Sequence, residues 1–196
     1  MSEKTEQKKQ LIIDSARGVF VEKGYKAVTM KDIVEASDIS RGGLYLYFSS
    51  VEEVFLAVLE TEEQRADEAI SGETLEGASN GEILLWFLKT QKKEILKKRD
   101  SLMTAKYEYA FACKEKKQKP VFSKEMDKAV LVLQNILERG TESGEFACFD
   151  VKNEARDMML AIEGMKVLSC TMGISEKKVD TELLHMMERI VIEEEE

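Results

Sequence analysis

Residues 28–48, VTMKDIVEASDISRGGLYLYF, decide the fold that we predict for this chain. Thr29 stands three residues before Asp32, a variant of the capping pattern that opens helices, and apolar residues then follow at helical spacing. That pattern soon stops, and Ser40 is a suitable N-cap for a second short helix that ends near Phe48. Two short helices joined by a turn of about three to four residues make a helix-turn-helix, whose second helix enters the DNA major groove.

The residues on either side strengthen this interpretation. Upstream, an apolar stripe predicts a helix over residues 5–23, and Gly24 suits the left-handed position that ends it. Downstream, Ser50 and Glu53 have the spacing of a capping box that opens a long helix. The upstream stripe consists of Leu11, Ile12, Ala16, Val19 and Phe20.

The apolar helix and the residues that follow it resemble the TetR family of transcriptional regulators over about residues 8–60. The residues after the helix read GYKAVTMKDIVEASDISRGGLYLYFSSVEEVFLAVL. Beyond residue 60 the resemblance is limited to the overall arrangement of helices. The chain has Asp38 where the family usually has Gly, and Asp tolerates left-handed backbone better than most residues. It also has Val51 where the family usually has Lys, so one phosphate anchor is missing and more is left to backbone N–H groups.

The fold class that we predict is all-α, with about nine helices. A single proline and 34% charged residues agree with this class. We expect residues 1–49 to form a helix-turn-helix DNA-binding domain and residues 50–196 a helical ligand-binding and dimerisation domain. The expected helices cover about residues 5–23, 30–37, 41–47, 51–70, 79–95, 101–116, 120–140, 152–171 and 176–192.

The charge of the chain is distributed unevenly. The net charge is −9, and residues 1–50 carry +1 of it while residues 51–196 carry −10. We call residues 1–50 the head and residues 51–196 the body. An acidic body is compatible with DNA binding if Lys, Arg and backbone N–H groups in the head point at phosphates. Such a protein should bind non-specific DNA weakly and detach as salt rises. The lysine-rich run KKEILKKR is expected to be a solvated face, with a second DNA contact as the alternative.

Composition also bears on location and on metals. No apolar run approaches the length of about 20 residues that spans a membrane, and the N-terminus has no apolar run of a secretory signal. Cys113, Cys148 and Cys170 are odd in number and lack metal-ligand spacing, and His185 is the single histidine. We therefore expect a cytoplasmic protein without a membrane partner, cofactor or metal. The cysteines are expected to be buried small hydrophobic residues or, alternatively, a redox sensor.

The predicted recognition helix carries most of the candidate DNA contacts. Arg41 is its only long cation, and it either reads guanine bidentately or contacts a phosphate. Gly42 and Gly43 together cost roughly 2 kcal/mol of helix propensity, and in exchange they let the backbone approach DNA closely. The resemblance implies that Tyr45 and Tyr47 touch phosphate or base edges. The alternative for each tyrosine is a core ring whose hydroxyl reaches the surface.

Three further residues complete the DNA-binding set. Thr29 can cap its helix and meet a phosphate together, Lys31 lies in the first turn of that helix, and Ser40 caps the recognition helix. Leu44 and Phe48 are expected to pack inward. The expected partner is double-stranded operator DNA.

Soft and aromatic residues of the second half are candidates for lining an effector pocket. Their spacing is equally typical of plain core, and a pocket for a small, apolar or amphipathic effector is what the resemblance implies. Glu108 stands beside them, and it is either a surface carboxylate or an inward one that would select a cationic compound. The candidate lining residues are Trp86, Met103, Tyr107, Phe111, Phe122 and Met126.

The last two predicted helices are strongly apolar, more so than the surface of a monomer tolerates. The resemblance implies that this pair forms a four-helix bundle with its symmetry mate in a homodimer. A C₂ dimer would present two recognition helices to half-sites about one helical turn, or multiples of it, apart. The candidate interface residues are Met158, Ile162, Met165, Leu183, Leu184, Met187, Ile190 and Val191.

These patterns together predict a ligand-responsive transcriptional regulator, a repressor that releases its operator when an effector binds the second half. Ligand and DNA must then oppose each other reciprocally. One alternative is a DNA-tethered adaptor or nucleoid-associated protein whose second half binds another protein. The other is an enzyme, which the sequence disfavours because no nucleophile pattern accompanies His185.

Overall fold

The computed structural model describes residues 3–72, 77–97, 101–113 and 121–191. Within these ranges the secondary structure is helical apart from an isolated antiparallel bridge, which confirms the predicted all-α class. None of the described helices is both long and apolar enough to cross a membrane. The helices are α1 (Glu3–Lys23), α2 (Met30–Ser37), α3 (Arg41–Tyr45), α4 (Val51–Gly72), α5 (Asn80–Leu96), α6 (Met103–Ala112), α7 (Val121–Ser143), α8 (Val151–Thr171) and α9 (Glu176–Glu188).

The chain forms two compact units. Unit 1 comprises Met1–Thr74 and Arg99–Lys114, and unit 2 comprises Leu75–Lys98 and Glu115–Glu196. Unit 1 therefore holds α1 to α4 together with α6, and unit 2 holds α5, α7, α8 and α9. The functional boundary that we placed after residue 49 stays a prediction, whereas the compact units divide the chain elsewhere.

Unit 1 is built on the buried stripe of α1. Ile12, Ala16 and Phe20 are fully buried and recur at the spacing of one helix face, as the sequence predicts, although Leu11 of the predicted stripe is half exposed. The ring of Phe20 lies 4.7 Å from that of Phe55 on α4, in an edge-on arrangement. Such aromatic pairs stabilise a core beyond their buried area. The packing fixes α1 against α4.

Helix α6 belongs to the same core through one tyrosine. The Tyr109 ring lies 5.0 Å from Tyr25 and 5.3 Å from Phe55. Its hydroxyl donates a hydrogen bond of 2.9 Å to Glu52 at the start of α4. Burial raises the pKa of the Tyr109 phenol, and the neighbouring Glu52 carboxylate raises it further. Tyr109 therefore joins α6 to α4 as a neutral hydrogen-bond donor.

Unit 2 is a bundle with one continuous apolar core, to which α5, α7, α8 and α9 all contribute. The loop after α7 closes it: Ala147 donates its N–H to the Ile190 carbonyl at 2.7 Å, beside the bridge between Phe146 and Val191. A Cβ added at Gly140 would lie 2.0 Å from the Phe146 ring. Only glycine at that position lets the ring reach the core.

The same loop caps α5. The Glu145 carboxylate accepts hydrogen bonds from the Gly81 N–H at 2.9 Å and from the Asn80 amide at 2.6 Å. These donors lower the pKa of Glu145 from 4.5 to about 2. Because the folded pKa is depressed, the stabilisation is present above pH 4.5 and is lost as pH falls toward 2.

Local capping follows the sequence closely. Side chains of Thr29, Ser40, Ser79, Asp150 and Ser175 each accept a hydrogen bond from the backbone N–H of the helix that follows them. These caps confirm the predicted helix starts.

The start of α4 differs in detail from a capping box. Ser50 does accept from the Glu53 N–H at 3.2 Å, but the Glu53 carboxylate binds the N–H of Ser49, at 2.5 Å, instead of that of Ser50. The expectation of a solvated lysine face also needs correction at Lys92. Its ammonium lies 2.8 Å from Glu176 and 2.6 Å from Asp180, so it joins α5 to α9.

Candidate DNA-binding face and bundle core

The orientation of α2 is set by Asp32. Its carboxylate accepts hydrogen bonds from the Thr29 N–H at 2.8 Å and the Thr29 hydroxyl at 2.7 Å. Its other oxygen pairs with the Lys23 ammonium at 2.7 Å. The Lys23 contact and the Thr29 hydrogen bonds hold the pKa of this carboxyl well below its usual range. Asp32 thereby ties the end of α1 to the start of α2.

The turn between α2 and α3 needs one left-handed residue. Asp38 supplies it with φ 53° and ψ 33°, as we expected for an aspartate in place of the glycine usual in the TetR family. Ser37 is buried, and its hydroxyl donates to the Ile33 carbonyl at 2.7 Å. The turn is therefore satisfied internally, which fixes the direction of α3.

Helix α3 has a buried side and an outer side. Leu44 and Phe48 are buried, as predicted, and anchor it in unit 1. Arg41 and Tyr45 lie one turn apart on the outer side, with the guanidinium carbon 5.7 Å from the centre of the tyrosine ring. Stacking of this kind holds an arginine extended over an aromatic face. A planar five-donor group is thus held at the exposed surface.

The other predicted DNA contacts lie at the edges of this surface. Thr29 is exposed and Tyr47 is half-buried. Lys31 is exposed, with its ammonium 3.6 Å from Glu35 one turn on, an ion pair that solvent screens strongly. Ser40 is exposed and uses its hydroxyl oxygen to accept from the Gly43 N–H at 3.1 Å.

The two glycines of α3 have different surroundings. A Cβ at Gly43 would lie 2.8 Å from Ile39 Cγ2 and 3.1 Å from the Ser40 hydroxyl, whereas a Cβ at Gly42 would meet nothing within 4 Å. Gly43 faces the preceding turn and Gly42 faces open space. The open position is where backbone could approach DNA.

Gly42→Ala should therefore lower operator affinity while leaving the fold intact, and should raise helix stability by up to about 1 kcal/mol. Gly43→Ala should instead lower the thermal midpoint, because its added methyl would lie 2.8 Å from Ile39 Cγ2 and crowd the turn before α3. Thermal melting and DNA-binding titrations of both variants check this. Unchanged DNA affinity in Gly42→Ala would show that the backbone does not approach DNA there.

Helix α6 binds the segment between α1 and α2, a contact that the sequence did not predict. The Glu108 carboxylate accepts a hydrogen bond of 2.9 Å from the Lys26 N–H, across 82 residues of sequence. It also packs against Gly24, where an added Cβ would lie 2.6 Å from the carboxylate and where φ is +74°. The left-handed conformation of Gly24 was predicted, but its close contact with Glu108 was not. Glu108 thus holds the segment that leads from α1 into α2.

The candidate pocket residues are divided between the units. Trp86 and Met126 are partly buried against the core of unit 2. In unit 1, Met103 is buried, Tyr107 is half-buried and Phe111 is 80% exposed. The side chain of Phe122 lies outside the described residues. Neither unit by itself contains the whole predicted set.

A polar atom inside unit 2 was also missed. Gln91 lies on the buried stripe of α5, one turn after Phe87 and one turn before Ile95. Its amide oxygen is buried and finds no hydrogen-bond partner within the described residues. An unpaired buried acceptor of this kind costs about 1–3 kcal/mol. The signal in the sequence was a single glutamine among the apolar positions of the helix.

The predicted interface residues require a correction, because most of them pack inside their own chain. Met187 and Val191 are partly buried against the core, and Leu184 is 55% exposed. The exposed apolar residues of α8 are instead Leu160 and Val167, which lie two turns apart on one face. The predicted residues that are buried in unit 2 are Met158, Ile162, Met165, Leu183 and Ile190.

The cysteines are half-buried, not fully buried as expected, and none forms a disulfide with another. Burial raises the pKa of the Cys148 thiol, which disfavours the reactive thiolate. Across the described part of the chain, no three His, Cys, Asp or Glu side chains cluster as a metal site would require.

The capped α2, the left-handed turn and the outward-facing α3 define a helix-turn-helix of the kind found in DNA-binding regulators. Residues 12–58 match the family of bacterial regulatory proteins called tetR, and residues 83–180 match the tetracyclin repressor-like C-terminal domain. The chain belongs to the TetR family, as its resemblance suggested.

Two relatives are similar to this chain in sequence, and one solved structure is similar to it in fold. The uncharacterised HTH-type transcriptional regulator YfiR of Bacillus subtilis is 33% identical over 69% of this chain and 66% of its own length. The regulator QacR of Staphylococcus aureus is 35% identical over 38% of this chain and 39% of its own. These matches span less than two thirds of either relative. A TetR transcription regulator from Haloarcula marismortui has the same fold, with a TM-score of 0.80 at 16% identity, over 94% of this chain and 96% of its own.

Proposed function

We propose that this protein is a homodimeric, ligand-responsive transcriptional regulator that represses its target genes from the cytoplasm. The observation that carries the proposal is the construction of α3, where buried Leu44 and Phe48 present stacked Arg41 and Tyr45 at the exposed surface. Membership in the TetR family supports it. The test is to select sequences from random double-stranded DNA and to measure their affinity at several salt concentrations.

In the proposed complex α3 lies in the major groove. Arg41 reads a guanine through its O6 and N7 acceptors, or else pairs with a phosphate. Lys31 at the start of α2 and the exposed Ser40 hydroxyl bind phosphates and set the register, and the Thr29 hydroxyl joins them by turning its proton from Asp32 to a phosphate. The Tyr45 ring stacks against the Arg41 guanidinium and holds it in position. Since the head is close to neutral and the rest of the chain is acidic, specific contacts must contribute most of the affinity.

We propose that the homodimer forms through the exposed side of α8 and α9. Leu160 and Val167 mark this side of α8, and Leu184 marks that of α9. Gly164 lies between the two α8 residues, and a Cβ there would meet nothing within 4 Å. A missing side chain between two apolar ones allows a partner helix to approach closely. Burial of these residues by a second copy would give the isologous contact of a C₂ dimer.

The effector that we propose occupies unit 2 and is mainly apolar, with one hydrogen-bond donor. The Gln91 amide oxygen, which has no hydrogen-bond partner among the residues that the structure describes, supports this choice, because a hydroxyl or N–H group of a ligand would satisfy it. Partly buried Trp86 on the same helix would report binding through its fluorescence. The buried acceptor thus costs stability in the free protein and gains a partner in the complex.

Gln91→Leu should therefore raise the thermal midpoint of the free protein, because it removes an unpaired acceptor at similar volume. We expect 2-naphthol to bind the wild type more tightly than 2-methoxynaphthalene, and this preference of about two- to tenfold should vanish in Gln91→Leu. Trp86 fluorescence and melting curves measure both effects. A lower midpoint for the variant would assign Gln91 a structural hydrogen bond, and equal binding of the two probes would remove its role in recognition.

Helix α6 is the proposed connection between effector and DNA. The chain passes between the units on either side of it, after Lys98 and after Lys114. Within unit 1, Glu108 holds the segment before α2 and Tyr109 holds the start of α4. An effector that favours one position of α6 would therefore bias the placement of α3 in the dimer. Ligand and DNA then select different states of the same protein.

A further inference from the structure

An exposed leucine follows directly after α3. Leu46 is 82% exposed, although its backbone is helical, with φ −72° and ψ −24°. Its N–H donates to the Gly43 carbonyl at 3.3 Å, and the Phe48 N–H donates to the Leu44 carbonyl at 3.0 Å. The helical turn therefore continues through residue 48, and helix geometry sets the direction of the Leu46 side chain.

Pairs of residues one turn apart define the faces of this helix. Leu44 and Phe48 form the buried pair, whereas Arg41 with Tyr45 and Gly42 with Leu46 form two exposed pairs. Since Gly42 has open space around it, the leucine side chain borders a stretch of bare backbone. The outer surface of α3 consequently has a charged aromatic pair and, beside it, an apolar strip.

A single exposed leucine is ordinary on a protein surface, so exposure alone assigns no role to Leu46. Its position on the outer surface of α3 is what matters. An aliphatic side chain can neither donate to a phosphate nor bond a base edge. The apolar group that the major groove offers is the C5-methyl of thymine, which distinguishes thymine from every other base there.

We propose that Leu46 is a specificity-determining residue that selects thymine through its methyl group, at a position adjacent to the base or phosphate contacted by Arg41. This inference rests on the proposed role of α3 as the recognition helix. Gly42 contributes by leaving room for the base pair to approach the leucine. The thymine preference is separate from any guanine preference of Arg41.

The experiment begins with sequences selected from random duplex DNA by the full-length wild-type protein. Each thymine of the selected half-site is then replaced by deoxyuridine, which lacks only the methyl group. One such replacement should weaken wild-type binding about fourfold for each half-site, the effect of one methyl removed from an apolar contact. Leu46→Ala should bind more weakly than the wild type and be insensitive to that replacement. Leu46→Met should restore the sensitivity.

Lys31→Ala is the matched control. It should bind more weakly on every sequence and still lose about fourfold at the same thymine. If no thymine replacement distinguishes the wild type from Leu46→Ala, the assignment of Leu46 is overturned while the DNA-binding role of α3 stands. If the wild type selects no sequence at all, both this assignment and the recognition role of α3 fail.

Discussion

Leu184→Arg should convert the dimer to a monomer and lower operator affinity by about a hundredfold or more. Leu184 is 55% exposed on α9, so the change leaves the core of unit 2 undisturbed. In the proposed dimer it would bury an unpaired charge in an apolar contact, which is costly. A monomer binds one half-site at a time and loses the gain of about 10²–10⁴ that linked sites provide. Sedimentation velocity and operator titration measure the two effects.

Leu131→Arg is the control for this prediction. Leu131 is 59% exposed on α7, in the same unit as Leu184. The substitution therefore adds the same charge at an equally open position. It should remain a dimer with unchanged operator affinity. A monomeric wild type, or a Leu184→Arg variant that remains dimeric, would contradict the proposed use of the exposed side of α8 and α9.

Arg41→Ala should reduce operator affinity by roughly 1–3 kcal/mol and relax the preference at one position of each half-site. The arginine stacks on Tyr45 at the exposed surface, so its loss should not affect folding. Arg41→Lys should recover little of the preference, because lysine lacks the planar fork that matches guanine.

Lys31→Ala should instead weaken binding about equally on all sequences and flatten the dependence of affinity on salt. Competition titrations with operator variants at two salt concentrations separate the two patterns. An equal loss on every sequence for Arg41→Ala would make Arg41 a phosphate contact.

The features that sequence predicted well are those governed by neighbouring residues. Ser40 caps α3 through an N–H three residues on, and Asp38 adopts a left-handed conformation that its own side chain tolerates. The inward packing of Leu44 and Phe48 also follows from helical spacing. These local rules sufficed to place the candidate DNA-binding surface.

Contacts between distant segments escaped prediction. Glu108 binds Lys26 across 82 residues of sequence, and no periodicity or capping pattern reports such a pair. The sequence therefore predicts α6 as part of the second half of the chain, with its aromatic residues as candidate pocket lining. In the structure Tyr109 attaches α6 to the start of α4, and Glu108 attaches it to the segment before α2, both within unit 1.

Burial on α8 and α9 illustrates a second limit. Helical spacing shows that Met158, Ile162 and Leu183 share apolar faces, but it does not tell whether a face meets its own chain or a partner. These residues fill the core of unit 2, and Leu160 and Leu184 are exposed. Only the packing of the whole bundle distinguishes the two faces.

In the proposed mechanism, effector and operator bind opposing states of one protein. The most direct test measures the operator affinity of the wild type with and without a compound that raises its thermal midpoint, and then the affinity for that compound with and without operator. We predict that each ligand weakens the other by the same factor, because a coupling free energy acts in both directions. A compound that binds unit 2 and leaves operator affinity unchanged would contradict the proposed opposition between effector and operator.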